Sequence, residues 1–251
     1  MSFESVINCC RDLLLNFPDA KDIADYADKR LSHNGQETFT FGYFPTNNNL
    51  QTLINTIGET KLKELELLDR KIINDRNVFY SRMQEHNLVM PYRDVYGNVI
   101  GIVGRTIFDD EKRKDLDIPK YKNTSRATGL AKGSHLFGLY NAKKYIIENN
   151  CVYVVEGQFD CITAYDKGLK NVVALGTSSM TFEQFALLTR YTNNIMLLLD
   201  NDDVGKSGTE KIIKNYSMYA NIRIIELPRG VKDIDEFLSD NSVEDLKLIM
   251  M

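Results

Sequence analysis

The sequence predicts an α/β fold: a mostly parallel sheet with helices on both faces, preceded by a mixed α+β region. Three observations carry this. From Cys151 onward four short apolar runs recur, VYVV (Val152–Val155), VVAL (Val172–Leu175), IMLLL (Ile195–Leu199) and IRII (Ile222–Ile225), with helix-forming segments between them. That βαβ rhythm needs crossover helices and therefore parallel strands. VYVV is apolar throughout, as expected of a strand buried on both faces. The intervening segments also carry helix-start signals, since Thr181 with Gln184 and Ser207 with Glu210 both read as capping boxes.

Each element follows from local pattern. Val6–Phe17 and Asp22–Leu31 place apolar residues three and four apart and predict helices broken at Pro18. The segment FTFGYFPTNNN (Phe39–Asn49) alternates and then turns through Pro45 and the asparagines. A long charged helix is expected around Thr60–Arg76. LVMPYRDVYGNVIGIVGRTIF (Leu88–Phe108) reads as a hairpin turning at Tyr96-Gly97-Asn98. DDEKRKDLDIPK (Asp109–Lys120) reads as a solvated loop of mixed charge. After the first strand of the parallel sheet, a helix is predicted from about Phe159 to Lys167, ended by Gly168. The expected organisation is residues 1–147 as a helical start with a hairpin and a basic zone, 148–240 as the parallel-sheet domain, and 241–251 as a tail or short helix. No internal repeat or low-complexity tract is present.

The chain has 251 residues, 43% hydrophobic and 26% charged, ordinary values for a globular protein. No apolar run is long enough to span a bilayer, and the opening MSFESVINCCRD lacks a secretory n-region, so a cytoplasmic protein without a membrane partner is expected. Cys9, Cys10, Cys151 and Cys161 form no C-x2-C knuckle. They predict reduced thiols and no zinc in this chain. A net charge of −4 argues against indiscriminate coating of nucleic acid. The distribution is more telling. Ile118 to Ile147 contains no Asp or Glu and carries Lys120, Lys122, Arg126, Lys132, Lys143 and Lys144, whereas acids crowd into Asp200–Asp203 and Glu226–Asp245.

The stretch MLLLDNDDVGKSG (Met196–Gly208) admits three chemistries. An EF-hand counted from Asp200 has Gly205 at position six, but Val204 at five and Lys211 at twelve exclude it. A Walker A loop ends in Gly-Lys-Ser, as here, but Asp200 occupies the place of its first glycine. The third reading puts Asp200 and Asp202 at the carboxyl end of a strand, the ligand-binding edge of an open parallel sheet. VYVV likewise runs into EGQFD, with Glu156 at its exit, Gly157 to turn the chain and Asp160 on the first helical turn. The fourth strand leads to KDIDEF, where Asp233 and Asp235 repeat the two-residue spacing, although Asp233 with Glu236 also makes a helix cap. Acids converging from three strand exits repel one another unless hard divalent cations, Mg²⁺ or Mn²⁺, sit among them.

Glu156-Gly157 after one strand and Asp200-x-Asp202 after a later one resemble the TOPRIM pattern of bacterial primases, topoisomerases and some nucleases. The remaining motifs are similar to those of the DnaG-type primases of bacteria and phages. VVALGTSSMT, LLLDNDDVGKSG and KDIDEF resemble that family's late segments. PKYKNT (Pro119–Thr124), AKGSHLFGLYNAKK (Ala131–Lys144), PYRDVYGNVIGIVGR and FTFGYFP resemble its upstream ones, in the same order. One departure stands in SRMQEHNLVMP, where the family carries arginines and this chain has Arg82 and His86 nearby.

The resemblance implies a TOPRIM domain behind a primase-core subdomain, and template-directed synthesis of short RNA primers from NTPs on single-stranded DNA. It assigns Glu156, Asp200 and Asp202 to catalysis and metal binding, with Asp160, Asp233 and Asp235 as further ligands for two or more Mg²⁺ or Mn²⁺ ions. It assigns nucleotide and DNA contacts to Arg93, Arg105, Lys120, Tyr121, Asn123 and Lys132. Without a zinc ribbon or helicase-binding domain, the chain is expected either to use a replicative helicase or a separate zinc-binding, template-selecting protein, or to initiate with little sequence preference. A stripped-down core of this kind is expected of a phage or another mobile element. Two alternatives use the same residues: a TOPRIM metal-dependent nuclease, and a non-catalytic nucleic-acid-binding module of a replication or transcription assembly.

Overall fold

The computed structural model describes residues 3–46, 49–74, 76–124 and 130–249. They divide into two compact units, one of residues up to 92 together with 98–130, the other of residues 93–97 and 131 onward.

In the first unit, α1 (Glu4–Asn16) buries Val6, Ile7, Cys10, Leu13 and Leu14 along one stripe. It ends at extended Phe17, the conformation that the following Pro18 imposes. α2 (Lys21–Arg30) and α3 (His33–Thr38) follow, the latter capped by the Ser32 hydroxyl, which accepts from the Gly35 N–H. β1 (Gly42–Tyr43) lies against α1 because Gly42 has no Cβ; one added there would stand 2.7 Å from Cys10 Cβ. α4 (Leu50–Ile57) and α5 (Glu59–Glu64) complete the helical part. The core of this unit includes Val6, Ile7, Leu50, Leu53, Leu62, Met83, Val89 and Ile102.

The long charged helix expected around Thr60–Arg76 is not formed. α5 stops after six residues and the chain enters an antiparallel ribbon, β2 (Leu68–Ile73) and β3 (Arg76–Ser81). Glu66 and Asn74 adopt positive φ, breaking the helix and turning the ribbon. Five of the six β2 residues are exposed, so β2 shows no two-residue period to betray it, and the ribbon meets the core through Phe79 of β3.

The hairpin forms as expected, from β4 (Leu88–Arg93) and β5 (Val99–Arg105). It builds the sheet β1-β4-β5-β6, in which β6 (Tyr121–Asn123) pairs antiparallel with β5. Asp109–Lys120, expected as a loop, contains a short helix, α6 (Asp110–Asp115), capped by the Asp109 carboxylate on the Lys112 N–H. α6 buries nothing, so no amphipathic stripe announced it.

The second unit begins with the hairpin's turn, where the Lys143 ammonium donates to the Val95 carbonyl (2.6 Å). Then come α7 (Leu139–Asn149), β7 (Val152–Val155), α8 (Gln158–Asp166), β8 (Val172–Ala174), α9 (Phe182–Leu188) and β9 (Asn194–Leu197). α10 (Asp203–Tyr216), β10 (Asn221–Ile224), α11 (Ile234–Asp240) and α12 (Val243–Ile249) complete it. All pairings in the sheet β10-β9-β7-β8 are parallel. The chain therefore moves one way from β7 to β8 and the opposite way from β8 to β9 and β10. With right-handed crossovers, α8 falls on one face and α9 and α10 on the other. The core agrees: Val152, Val154, Ile195 and Leu197 pack with residues of α7, α9 and α10, including the stacked rings of Phe185 and Tyr216 (4.3 Å). Each such side chain removed from water contributes about 1.5–3 kcal/mol.

The expected capping box of Thr181 and Gln184 starts α9. The one expected at Ser207 and Glu210 does not start a helix. α10 begins at Asp203, because Asp202 accepts from the Gly205 N–H and caps it one turn earlier. The four cysteines carry no disulfide. Among the described residues no helix is long and apolar enough to cross a membrane.

Candidate active site

The reversal of chain direction places the exits of β7 and β9 side by side, at the switch point where ligands bind in open parallel sheets. Glu156 follows β7 directly, and Asp200 and Asp202 lie on the loop after β9. These three carboxylates feel one another. The Glu156 carboxyl is pushed up to about 7, first by burial, then by Asp200 and Asp202, with Lys232 opposing. Its Oε2 is buried without a hydrogen-bond partner. Asp202 is exposed and spends one oxygen on the Gly205 N–H at 2.9 Å.

Gly205 fixes the loop after β9. A Cβ there would stand 2.1 Å from the Asp200 carbonyl oxygen, so the first turn of α10 packs on the Asp200 backbone. Asn201 ties this loop to the one after β10: its N–H donates to the Lys232 carbonyl (2.7 Å) and its side-chain amide to the Val231 carbonyl (3.3 Å). The Lys232 ammonium lies 3.8 Å from Asp200 Oδ2. Lys232 and Asn201 were not singled out from sequence, although a lysine directly before D-x-D was a legible signal.

Asp160, Asp233 and Asp235 form a second group, each offering an oxygen within 4.8 Å of the others. Each is already bonded. Asp160 accepts from the Gly157 N–H (2.8 Å), Asp233 caps α11 on the Glu236 N–H (2.8 Å), and Asp235 accepts from the Thr163 hydroxyl (2.6 Å). The expected box at Asp233 forms by half, since the Glu236 carboxylate accepts from the Lys232 N–H. Gly157 has φ −98, so the sharp turn expected of it is not why glycine stands there. A Cβ would instead lie 2.5 Å from Asp160 Oδ2.

The expected nucleotide and DNA contacts fall in both units. In the second, the Arg93 guanidinium donates to the Gly97 carbonyl across the hairpin turn (2.8 Å). Lys132 is half-buried on a 3-10 turn that Gln184 pins. The buried Gln184 amide donates to the carbonyls of Lys132, His135 and Leu175, holding that turn at the carboxyl end of β8. Gln184 was read as a capping partner alone. In the first unit, Arg105 is 5% exposed; its guanidinium donates to the Tyr26 and Tyr121 hydroxyls and packs over both rings. Lys120 lies over the Tyr121 ring at 5.9 Å. Asn123 has a buried Oδ1 without a partner. Arg126, of the acid-free zone, lies outside the described residues.

Arg82 pairs with Asp69 and Glu66. His86 is buried, with Nε2 against the Pro119 carbonyl (2.8 Å), and burial lowers its pKa.

Acids converging at the switch point of a parallel sheet define the class, and residues 153–238 match the Toprim-like family. Residues 12–143 match the N-terminal domain of the DNA primase catalytic core, and the chain belongs to the DnaG-type primase family. The DNA primase of Aquifex aeolicus is 32% identical over 100% of this chain and 48% of its own length. That of Synechococcus elongatus is 30% identical over 94% of this chain and 34% of its own. The chain thus spans half or less of these relatives. The Aquifex aeolicus primase structure with zinc-binding and RNA polymerase domains superposes with a TM-score of 0.81 at 30% identity, covering 99% of this chain and 59% of that one. A DnaG primase catalytic domain bound to ssDNA gives 0.82 at 28% identity, covering 99% and 78%.

Proposed function

We propose that this chain is an RNA-synthesising primase core that joins NTPs into short primers on a single-stranded DNA template, using Mg²⁺ or Mn²⁺. The observation that carries the reading is the buried, unpartnered Glu156 Oε2 among Asp200 and Asp202. A hard, anionic donor left without a proton donor fits a divalent cation. Glu156, Asp200 and Asp202 would hold it. Asp160, Asp233 and Asp235, whose oxygens lie within 4.8 Å of one another, would hold a second ion. When bound, such ions neutralise a triphosphate and make the attacking 3′-hydroxyl more acidic for in-line displacement.

The chain's own residues supply the rest. Lys132, held by Gln184 at the same sheet edge as the acids, would draw in the triphosphate. Lys120 and Tyr121 offer a cation and an aromatic face for the template, a pairing suited to single strands. Arg105 would act by holding Tyr26 and Tyr121 in place, and Arg93 by bracing the hairpin turn. The ssDNA-bound relative supports a single-stranded template. A replicative helicase or a zinc-binding protein that selects start sites would be the partners, in the cytoplasm.

The test offers single-stranded DNA, labelled NTPs and Mg²⁺ or Mn²⁺, and resolves the products by length. NTP-dependent RNA is expected. Shortened DNA without NTP incorporation would replace the primase by a nuclease. Neither product, even with a zinc-module or helicase partner added, would leave a binding module.

A further inference from the structure

We propose that the Lys232 ammonium is a built-in counter-ion of the acidic edge, which competes with the incoming divalent cation for Asp200 and so limits how tightly the edge holds it. The inference rests on the metal reading of Glu156 and Asp200.

The geometry separates a fixed anion from a movable cation. The Asp200 side chain is 17% exposed and that of Lys232 is 56% exposed, with Nζ 3.8 Å from Oδ2. A compact ammonium on a four-carbon stem can withdraw into water without disturbing the carboxylate it leaves. The root of the stem stays put whatever the side chain does. Its N–H donates to Glu236 Oε2 (2.7 Å) and its carbonyl accepts from the Asn201 N–H (2.7 Å). Both are backbone bonds that a substitution at 232 preserves.

The charges give the lysine its role. Without a metal, Asp200 and Asp202 act against the Glu156 charge, and the Lys232 ammonium, which pairs with Asp200, offsets them. A divalent ion bound by Asp200 would face that ammonium at short range and must displace it. The lysine therefore steadies the loops between turnovers and weakens metal binding. A purely structural lysine would do the reverse, since its loss would loosen the loop and weaken binding. The sign of the effect distinguishes the two.

The experiment titrates the full chain with Mn²⁺, without nucleotide or DNA, at low ionic strength, following free aqua-Mn²⁺ by electron paramagnetic resonance. Lys232→Met is expected to bind Mn²⁺ roughly three- to tenfold more tightly, a gain that shrinks as salt screens the pair. Lys232→Gln should repeat it and Lys232→Arg should stay near the parent. Asp200→Asn should lose the site. Weaker or unchanged binding in Lys232→Met, with Asp200→Asn losing the site, would overturn the counter-ion role alone. Parental binding in Asp200→Asn would overturn the metal reading beneath it.

Discussion

Two groups of three carboxylates stand in one Toprim-like unit, and they differ in what satisfies them. Asp160, Asp233 and Asp235 each accept a hydrogen bond from a neighbouring N–H or hydroxyl. In the other group Asp202 also accepts one, from the Gly205 N–H, and Asp200 faces the Lys232 ammonium, but Glu156 keeps a buried Oε2 without a donor and its carboxyl rises to about 7. On the metal reading proposed above, Glu156 is the carboxylate left for a cation to complete.

The sharpest way to break this contrast is substitution within each group. Asp200→Asn should lower primer synthesis by about a thousandfold or more, since on the metal reading it removes a charged ligand of the ion. DNA binding, measured by fluorescence anisotropy, should be largely spared. Asp233→Asn should cost about tenfold, the scale of a supporting ligand, because the amide oxygen still caps α11. Equal losses in the two variants would erase the distinction.

The glycines next to each group repeat the comparison in packing. An alanine at 205 would push a methyl against the Asp200 carbonyl, 2.1 Å away on the backbone. An alanine at 157 would meet only the end of the Asp160 side chain, 2.5 Å away, which can rotate aside. Gly205→Ala should therefore destabilise by roughly 2–4 kcal/mol in urea unfolding and weaken Mn²⁺ binding with it. Gly157→Ala should cost about 1–2 kcal/mol, mostly the lost bond to the Gly157 N–H.

How much of this was legible in the sequence follows from which signals survive folding. The parallel sheet was readable because VYVV is a strand buried throughout and IMLLL runs through the end of β9, and the acids were readable because they follow those apolar runs. The ribbon of β2 and β3 was not, since the exposed β2 carries the same charged residues as a solvated helix. The start of α10 was misplaced because Ser207 and Glu210 imitate a cap while Asp202 makes the real one. The division of labour between the acid groups was also hidden. It depends on the Thr163 hydroxyl, which the packing of α8 against α11 brings to Asp235, and on the local cap that Asp160 makes with the Gly157 N–H.

Glu156 supplies a pH-dependent version of the contrast. Its carboxyl is near 7 in the folded protein and near 4.5 when unperturbed. Between these values the unfolded chain has released a proton that the native state retains. Metal-free stability should thus fall as pH rises from about 4.5 to 7 and level off above. Glu156→Gln should remove that slope and raise stability at pH 8 by up to about 3 kcal/mol, seen as a higher Tm without metal. Adding Mg²⁺ or Mn²⁺ should raise the parental Tm and leave that of Glu156→Gln nearly unchanged. A parental stability that rises with pH across this window would contradict the strained state of Glu156.

The smallest expected effect probes the self-sufficient group. Thr163 is 4% exposed and its hydroxyl donates to Asp235 Oδ1 at 2.6 Å. Thr163→Val keeps the shape and removes the donor, which should cost about 1–2 kcal/mol, the range for a hydrogen bond to a charged acceptor. Synthesis should fall less than tenfold, because Asp235 loses a prop while the Glu156 group is untouched. Mn²⁺ affinity at that second group should rise, since an acceptor oxygen is freed for the ion. Should Thr163→Val leave stability unchanged and abolish synthesis, the hydroxyl would be serving the reaction itself. The two acid groups would then be equal partners in a single metal centre.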